Sequence, residues 1–155
     1  MKPIIISCLL SMAMFSCKKE GTGRSITLIE NQSSHDIQLV PFLNGKQNAD
    51  IKKFIPKNST TEVQTAGGRG KEIGSSYGVT LQLYDSVVVI FDGLVNRVHL
   101  KFNSSANTTG KIVFSDKRSI SNNLNYKLTI VQEQKHYIEG EYKYTFTEQD
   151  YLDAK

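Results

Sequence analysis

Few side chains in this chain of 155 residues have the type and spacing that chemistry requires. The candidates are two thiols (Cys8 and Cys17), three histidines (His35, His99 and His136) and the stretch Gly67-Gly68-Arg69-Gly70-Lys71-Glu72. Cys17 is the most distinctive. It ends an apolar run from Ile4 to Phe15 that follows the basic Lys2, with the small Ser16 directly before it. Such a run suits the apolar part of a signal peptide and falls short of the about twenty residues a membrane span needs. Cys8 lies inside the run, so a cut before Cys17 leaves one thiol in the mature chain. That thiol has no disulfide partner and no companion for a zinc site. An exported domain of this kind must be held together by its core alone, which its length permits.

Met14-Phe15-Ser16-Cys17 resembles a bacterial lipobox, where a diacylglyceryl group is attached to the cysteine sulfur and the signal is removed. The resemblance implies a signal peptide over residues 1–16 and lipidation at Cys17. The block Phe15-Ser16-Cys17-Lys18-Lys19-Glu20 is similar to the start of small uncharacterised lipoproteins of Bacteroidota. Asp85 to Asp92 and Tyr144 to Tyr151 resemble internal stretches of the same group. The resemblance implies an exported, lipid-anchored β-domain of the cell envelope, placed at the outer membrane on its periplasmic or its surface face. No catalytic residue carries over from it. Each buried methylene contributes about 0.8 kcal/mol, and two or more chains give stable attachment. Residues 17–24 are expected to form the acylated cysteine and a flexible tether spanning roughly 15 Å, with a single domain over 25–155.

The other candidates fail as catalytic motifs. A phosphate loop needs glycine five residues before the Gly70-Lys71 pair, where Thr65 stands, and Glu72 replaces the metal-binding hydroxyl. Gly68 and Gly70 do not continue to a third glycine, since Ile73 occupies that place, so the stretch reads as a mobile loop between strands. The three histidines have no neighbour at ligand spacing. There is no nucleophile-elbow motif for a Ser-His-Asp triad, and no pair of carboxylates is singled out for glycoside hydrolysis. Tyr142, Tyr144 and Phe146 form a stripe that fits the buried face of a strand better than a sugar platform. Asp85-Ser86-Val87 resembles a three-residue O-glycosylation acceptor of Bacteroidota. The sequence therefore assigns no catalytic, cofactor-binding or metal residue.

The net charge of +4 is spread along the chain. Only Lys18-Lys19, Lys52-Lys53 and Lys117-Arg118 are basic doublets, so nothing concentrates charge as a nucleic-acid binder would. The expected partners are the membrane, through Cys17, and an envelope protein or a glycan.

The elements that would position any site are strands. Apolar residues recur at every second position from Ser25 onward. Ile26 and Leu28 alternate with Thr27, and Ile37 to Leu43 is apolar on both faces around Pro41. Ile51 to Ile55, Thr60 to Thr65 and Val79 to Leu83 follow. Ser86 to Phe91 is a continuous β-branched run suited to a strand buried on both faces. It is expected to pair with Val98 to Phe102 across Asp92-Gly93 as a central hairpin. Lys111 to Phe114 reads as a short strand, Ser115 to Asn125 as an irregular connection, and Tyr126 to Ile130 and Glu141 to Phe146 as the last strands. Thr147-Glu148-Gln149-Asp150 has the form of a helix start with an acidic residue at its third position, predicting a helix from Glu148 to about Ala154. The pattern predicts an all-β fold, a single antiparallel β-sandwich of immunoglobulin-like or transthyretin-like outline with a short C-terminal helix. A closed barrel is the alternative. The expected role is a non-enzymatic binding or accessory module. The alternatives are an envelope or glycan hydrolase and a structural or immunity-type interaction lipoprotein.

Overall fold

The computed structural model describes residues 21–101 and 109–155; the expected signal segment 1–16 and Cys17 lie outside them. In chain order the strands are β1 (Thr22–Asn31), β2 (Ile37–Leu43), β3 (Lys46–Gln47), β4 (Lys53–Ile55), β5 (Ser59–Arg69), β6 (Ser86–Phe91), β7 (Val95–Leu100), β8 (Lys127–Gln134) and β9 (Tyr137–Phe146). Two short helices are α1 (Tyr77–Leu81) and α2 (Glu148–Leu152). Two sheets pack together. The first has the order β5-β1-β9-β8; the second runs β3-β2-β6-β7, with β4 also on β2.

The first sheet is mixed, which corrects the expectation of a wholly antiparallel arrangement. β1 runs parallel to β9, from Thr22 opposite Tyr137 to Asn31 opposite Phe146. Alternation within a strand says nothing about its direction, and parallel neighbours need only a long connection between them. Here nearly the whole domain supplies it.

The core lies where the sheets overlap. Ile29, Tyr144 and Phe146 of the first sheet meet Ile37, Leu39, Val87, Val89 and Phe91 of the second, all buried. Phe91 and Phe146 pack edge to face, with centroids 6.4 Å apart, and Tyr144 packs on Phe146 at 4.9 Å. The expected hairpin of β6 and β7 is present, closed by Asp92 and Gly93 with φ of 49° and 73°. Asn44 and Gly45 likewise both have positive φ and turn β2 into β3. Pro41 lies where one edge of β2 passes from β4 to β3, so its missing N–H costs no ladder bond on that side.

The other half of the first sheet's inner face is closed differently. The segment 71–76 lies directly on the glycines of three strands. A Cβ on Gly23 would sit 1.5 Å from the Glu72 carbonyl oxygen, and one on Gly68 would sit 1.8 Å from the same atom. A Cβ on Gly140 would meet the Ile73 side chain at 2.9 Å. The glycine-rich stretch is thus no mobile loop: Gly67 to Arg69 belong to β5, and the residues after it are strapped onto the sheet.

Three further expectations are corrected. Val79 to Leu83 is not a strand. Its first residues form α1, fixed by the Tyr77 N–H bonding Thr27 Oγ1 at 3.1 Å and by burial of Leu81. Lys111 to Phe114 contributes only a parallel bridge between Ile112 and His99. Thr22 to Arg24 belong to β1 rather than to a tether. Leu128 and Ile130 of β8 are 43% and 46% exposed, because β8 is an edge strand beyond the overlap of the sheets.

Candidate functional site

β1 runs from one end of the first sheet to the other, and at its far end three loops and α2 converge. Asn31, the last residue of β1, is buried and ties two of these loops together. Its Nδ2 donates to the carbonyls of His35 (2.8 Å), Ile55 (3.3 Å) and Pro56 (3.1 Å). Its Oδ1 accepts from Ser33 N (3.0 Å) and Ser33 Oγ (2.7 Å). A short polar side chain can satisfy a loop's backbone in this way where no strand can.

His35 is thereby aimed at two acids from distant parts of the chain. Its Nδ1 lies 2.5 Å from Asp92 Oδ2 and its Nε2 lies 3.3 Å from Glu148 Oε1. Tyr151 stacks on the imidazole at 3.5 Å between centroids and meets Phe91 edge-on at 5.7 Å. The Lys155 ammonium lies 4.5 Å from the centre of the Tyr151 ring. Glu148 Oε2 also accepts from Ser34 N and Oγ, at 3.0 and 3.1 Å. The bond from His35 and then the Asp36 backbone N–H hold the Asp92 carboxyl below its ordinary range. The Ser34 backbone N–H does the same for Glu148.

α2 is latched at both ends. The Asp150 carboxylate accepts the Thr147 N–H at 2.8 Å, which fulfils the expected helix start. Arg118 pairs with Asp150 (3.6 Å) and Asp153, and Arg97 donates to the Asp153 carbonyl. Beside this cluster a shallow depression of about 290 Å³ is lined by Glu30, Asn31, Gln32, Asn58, Ser59 and Thr60, all polar.

The three histidines do not converge. His35 is at this end, His136 is in the exposed β8–β9 turn at the opposite end, and His99 is buried in β7. His99 Nδ1 accepts the Ile120 N–H at 3.2 Å. Burial, and then the nearby charges of Arg97 and Arg118, lower its pKa to about 3. A ring so sealed, with its acceptor occupied, cannot serve a substrate as a base near neutral pH. Ser119 and Ser121 lie beside it with hydroxyls that find no partner among the described residues. His35 has no free ring nitrogen either, so it acts as a clamp on α2.

Burial raises the phenol pKa values of Tyr126 and Tyr144. Tyr144 and Phe146 belong to the core and offer no sugar platform. Ser86 is half-buried in β6 between Phe42 and Leu100, and Asp85 beside it accepts from Asn44 N and Lys101. Among the described residues no three His, Cys, Asp or Glu side chains are grouped to hold a metal ion. No helix there is long and apolar enough to cross a membrane. The His35 cluster was missed in the sequence, since its members lie far apart in the chain. The one available signal was the Ser-Ser-His-Asp loop after β1.

No protein-family model, no curated protein and no solved structure matches this chain.

Proposed function

We propose that this protein is a lipid-anchored lipoprotein of the bacterial cell envelope, attached through Cys17, whose β-domain is a non-enzymatic binding or accessory module. One observation carries this reading: the chain enters β1 at one end of the first sheet, while the braced polar loops gather at the other. An anchor just before Thr22 would hold the first end at the bilayer and present the second outward. Loops on a rigid β-scaffold are where recognition commonly resides. The polar depression and the cross-braced loop suit hydrogen bonding to an envelope protein or a glycan. That both nitrogens of His35 are occupied and His99 is sealed favours binding over hydrolysis. An immunoglobulin-like outline is the finer description we adopt for the two sheets.

The test has two arms. Intact-mass analysis of the mature protein should show an acylated Cys17, and Cys17→Ala should leave the membrane fraction. An underivatised mature mass with unchanged fractionation of the variant would overturn the anchorage. A photo-crosslinker placed at Gln32 or Thr60 should capture an envelope component that the same probe at Lys46, at the other end of β2, does not. Equal capture from both ends would overturn the outward-facing site.

A further inference from the structure

We infer that the end of the domain where β1 begins docks onto anionic phospholipid head groups, fixing the domain upright on the membrane. This rests on the anchorage proposed above. Only four Cα–Cα steps separate Cys17 from Gly21, so the fold begins at most about 14 Å from the acylated residue. The flexible tether expected over residues 17–24 ends earlier than that, because Thr22 is already paired in β1. Its N–H bonds the His136 carbonyl at 2.8 Å, and it stands opposite Arg69 and Tyr137. A Cβ on Gly21 would lie 3.1 Å from the Lys71 backbone nitrogen. The β5 end, the strap after it and the β8–β9 turn therefore surround the point where the chain would leave for the bilayer.

Arg69, Lys71 and Lys135 are exposed there. Lys71 pairs with Glu133 at 2.6 Å, and nearby Arg24 lies 3.7 Å from Glu139. Arg69 and Lys135 have no acidic partner among the described residues. Glu72 is an exposed acid there with no ionic partner among the described residues, which leaves a surplus of one positive charge among the residues named. The surplus is small but lies within reach of the head groups, where screening extends over about 8 Å. A weak attraction suffices, because the anchor makes the encounter intramolecular at an effective concentration on the order of millimolar. At the opposite end Glu30, Asp36, Asp92 and Glu148 outnumber Lys57 and Lys155, so it offers the membrane no such attraction.

The protein contains no tryptophan, so single probes can be introduced. Lipidated His136→Trp and Leu94→Trp variants are reconstituted into vesicles of phosphatidylcholine and phosphatidylglycerol in equal parts, doped with a head-group nitroxide lipid. Quenching of the His136→Trp probe should fall about twofold when phosphatidylglycerol is omitted, when salt is raised, or when Arg69→Glu and Lys135→Glu are added. The Leu94→Trp probe, in the turn at the far end, should not respond. A chain that floats with the vesicles but shows quenching indifferent to lipid charge, salt and charge reversal overturns this inference alone. A chain that fails to float overturns the anchorage, and this inference with it.

Discussion

One sheet is closed in two ways. Toward the far end of β1, the second sheet covers the first with interdigitated Ile, Val and Phe side chains, the usual packing of two β-layers. Toward the near end the second sheet is absent. There the chain lays its own backbone on Gly23 and Gly68 and fills the gap with α1 and the segment around Ile120. The first closure is apolar and tolerant of local detail in the backbone. The second is polar and close-fitting, with Ser25 Oγ bonding the Ser75 carbonyl at 3.0 Å and Tyr126 Oη bonding the Ile120 carbonyl at 2.8 Å. Side-chain packing and backbone contact thus share one hydrophobic face, and they should fail differently.

The largest effect belongs to the apolar half. Phe146→Ala removes a ring packed against Phe91 and Tyr144 and should cost about 3–5 kcal/mol of unfolding free energy, measured by denaturant titration. A loss under 1 kcal/mol would mean that this half does not carry the fold.

In the glycine-floored half, Gly23→Ala drives a Cβ into the Glu72 carbonyl, a backbone atom that cannot rotate away. The cost should be about 1–3 kcal/mol. It should appear in hydrogen exchange as faster opening of residues 71–76, with β6 amides unchanged. Uniform acceleration across both halves would break the distinction.

An effect of similar size to that of Gly23→Ala is a pH dependence from His99. Its folded pKa is about 3 against an ordinary 6.5, so the unfolded chain takes up the proton first as pH falls. Stability contributed by the neutral ring is fully present above 6.5 and declines below it until about pH 3. Between pH 7 and pH 5 the loss should be about 2 kcal/mol. His99→Leu should be less stable at pH 7, having stranded the Ile120 N–H, yet show a flatter profile over this range. An equally steep profile in the variant would assign the dependence to other groups.

The legible parts of the fold were those decided by neighbours in the chain. Ser86 to Phe91 announces a strand, although only its Val87, Val89 and Phe91 face is fully buried and not both faces as expected; Asn44-Gly45 and Asp92-Gly93 announce turns, and Thr147 to Asp150 announces a helix start. Other parts were misread for physical reasons. In β1 the alternation of Ile26 and Leu28 marks the strand, but the residues buried are Ser25, Thr27, Ile29 and Asn31. Ser25 and Thr27 face inward because their hydroxyls bond the strap and α1. Val79 to Leu83 has the period of a strand, but Val79 to Leu81 continue a helix whose first residues, Tyr77 and Gly78, are held against Thr27, Tyr126 and Asn123. Of the candidate site, only His35 stood out, and merely as a histidine. Its acids and its stacking partner come from two other elements.

The sequence by itself determined that the chain builds short strands, that it turns at Asn44-Gly45 and Asp92-Gly93, and that a short helix closes it. Each of those is a matter of local torsions and of apolar spacing over a few residues. Tertiary structure alone decided that β1 and β9 lie parallel, that three glycines serve as a floor for a passing backbone, and that His35 bridges Asp92 and Glu148. Those depend on which distant segments approach one another, and such approach is set by the packing of the whole domain.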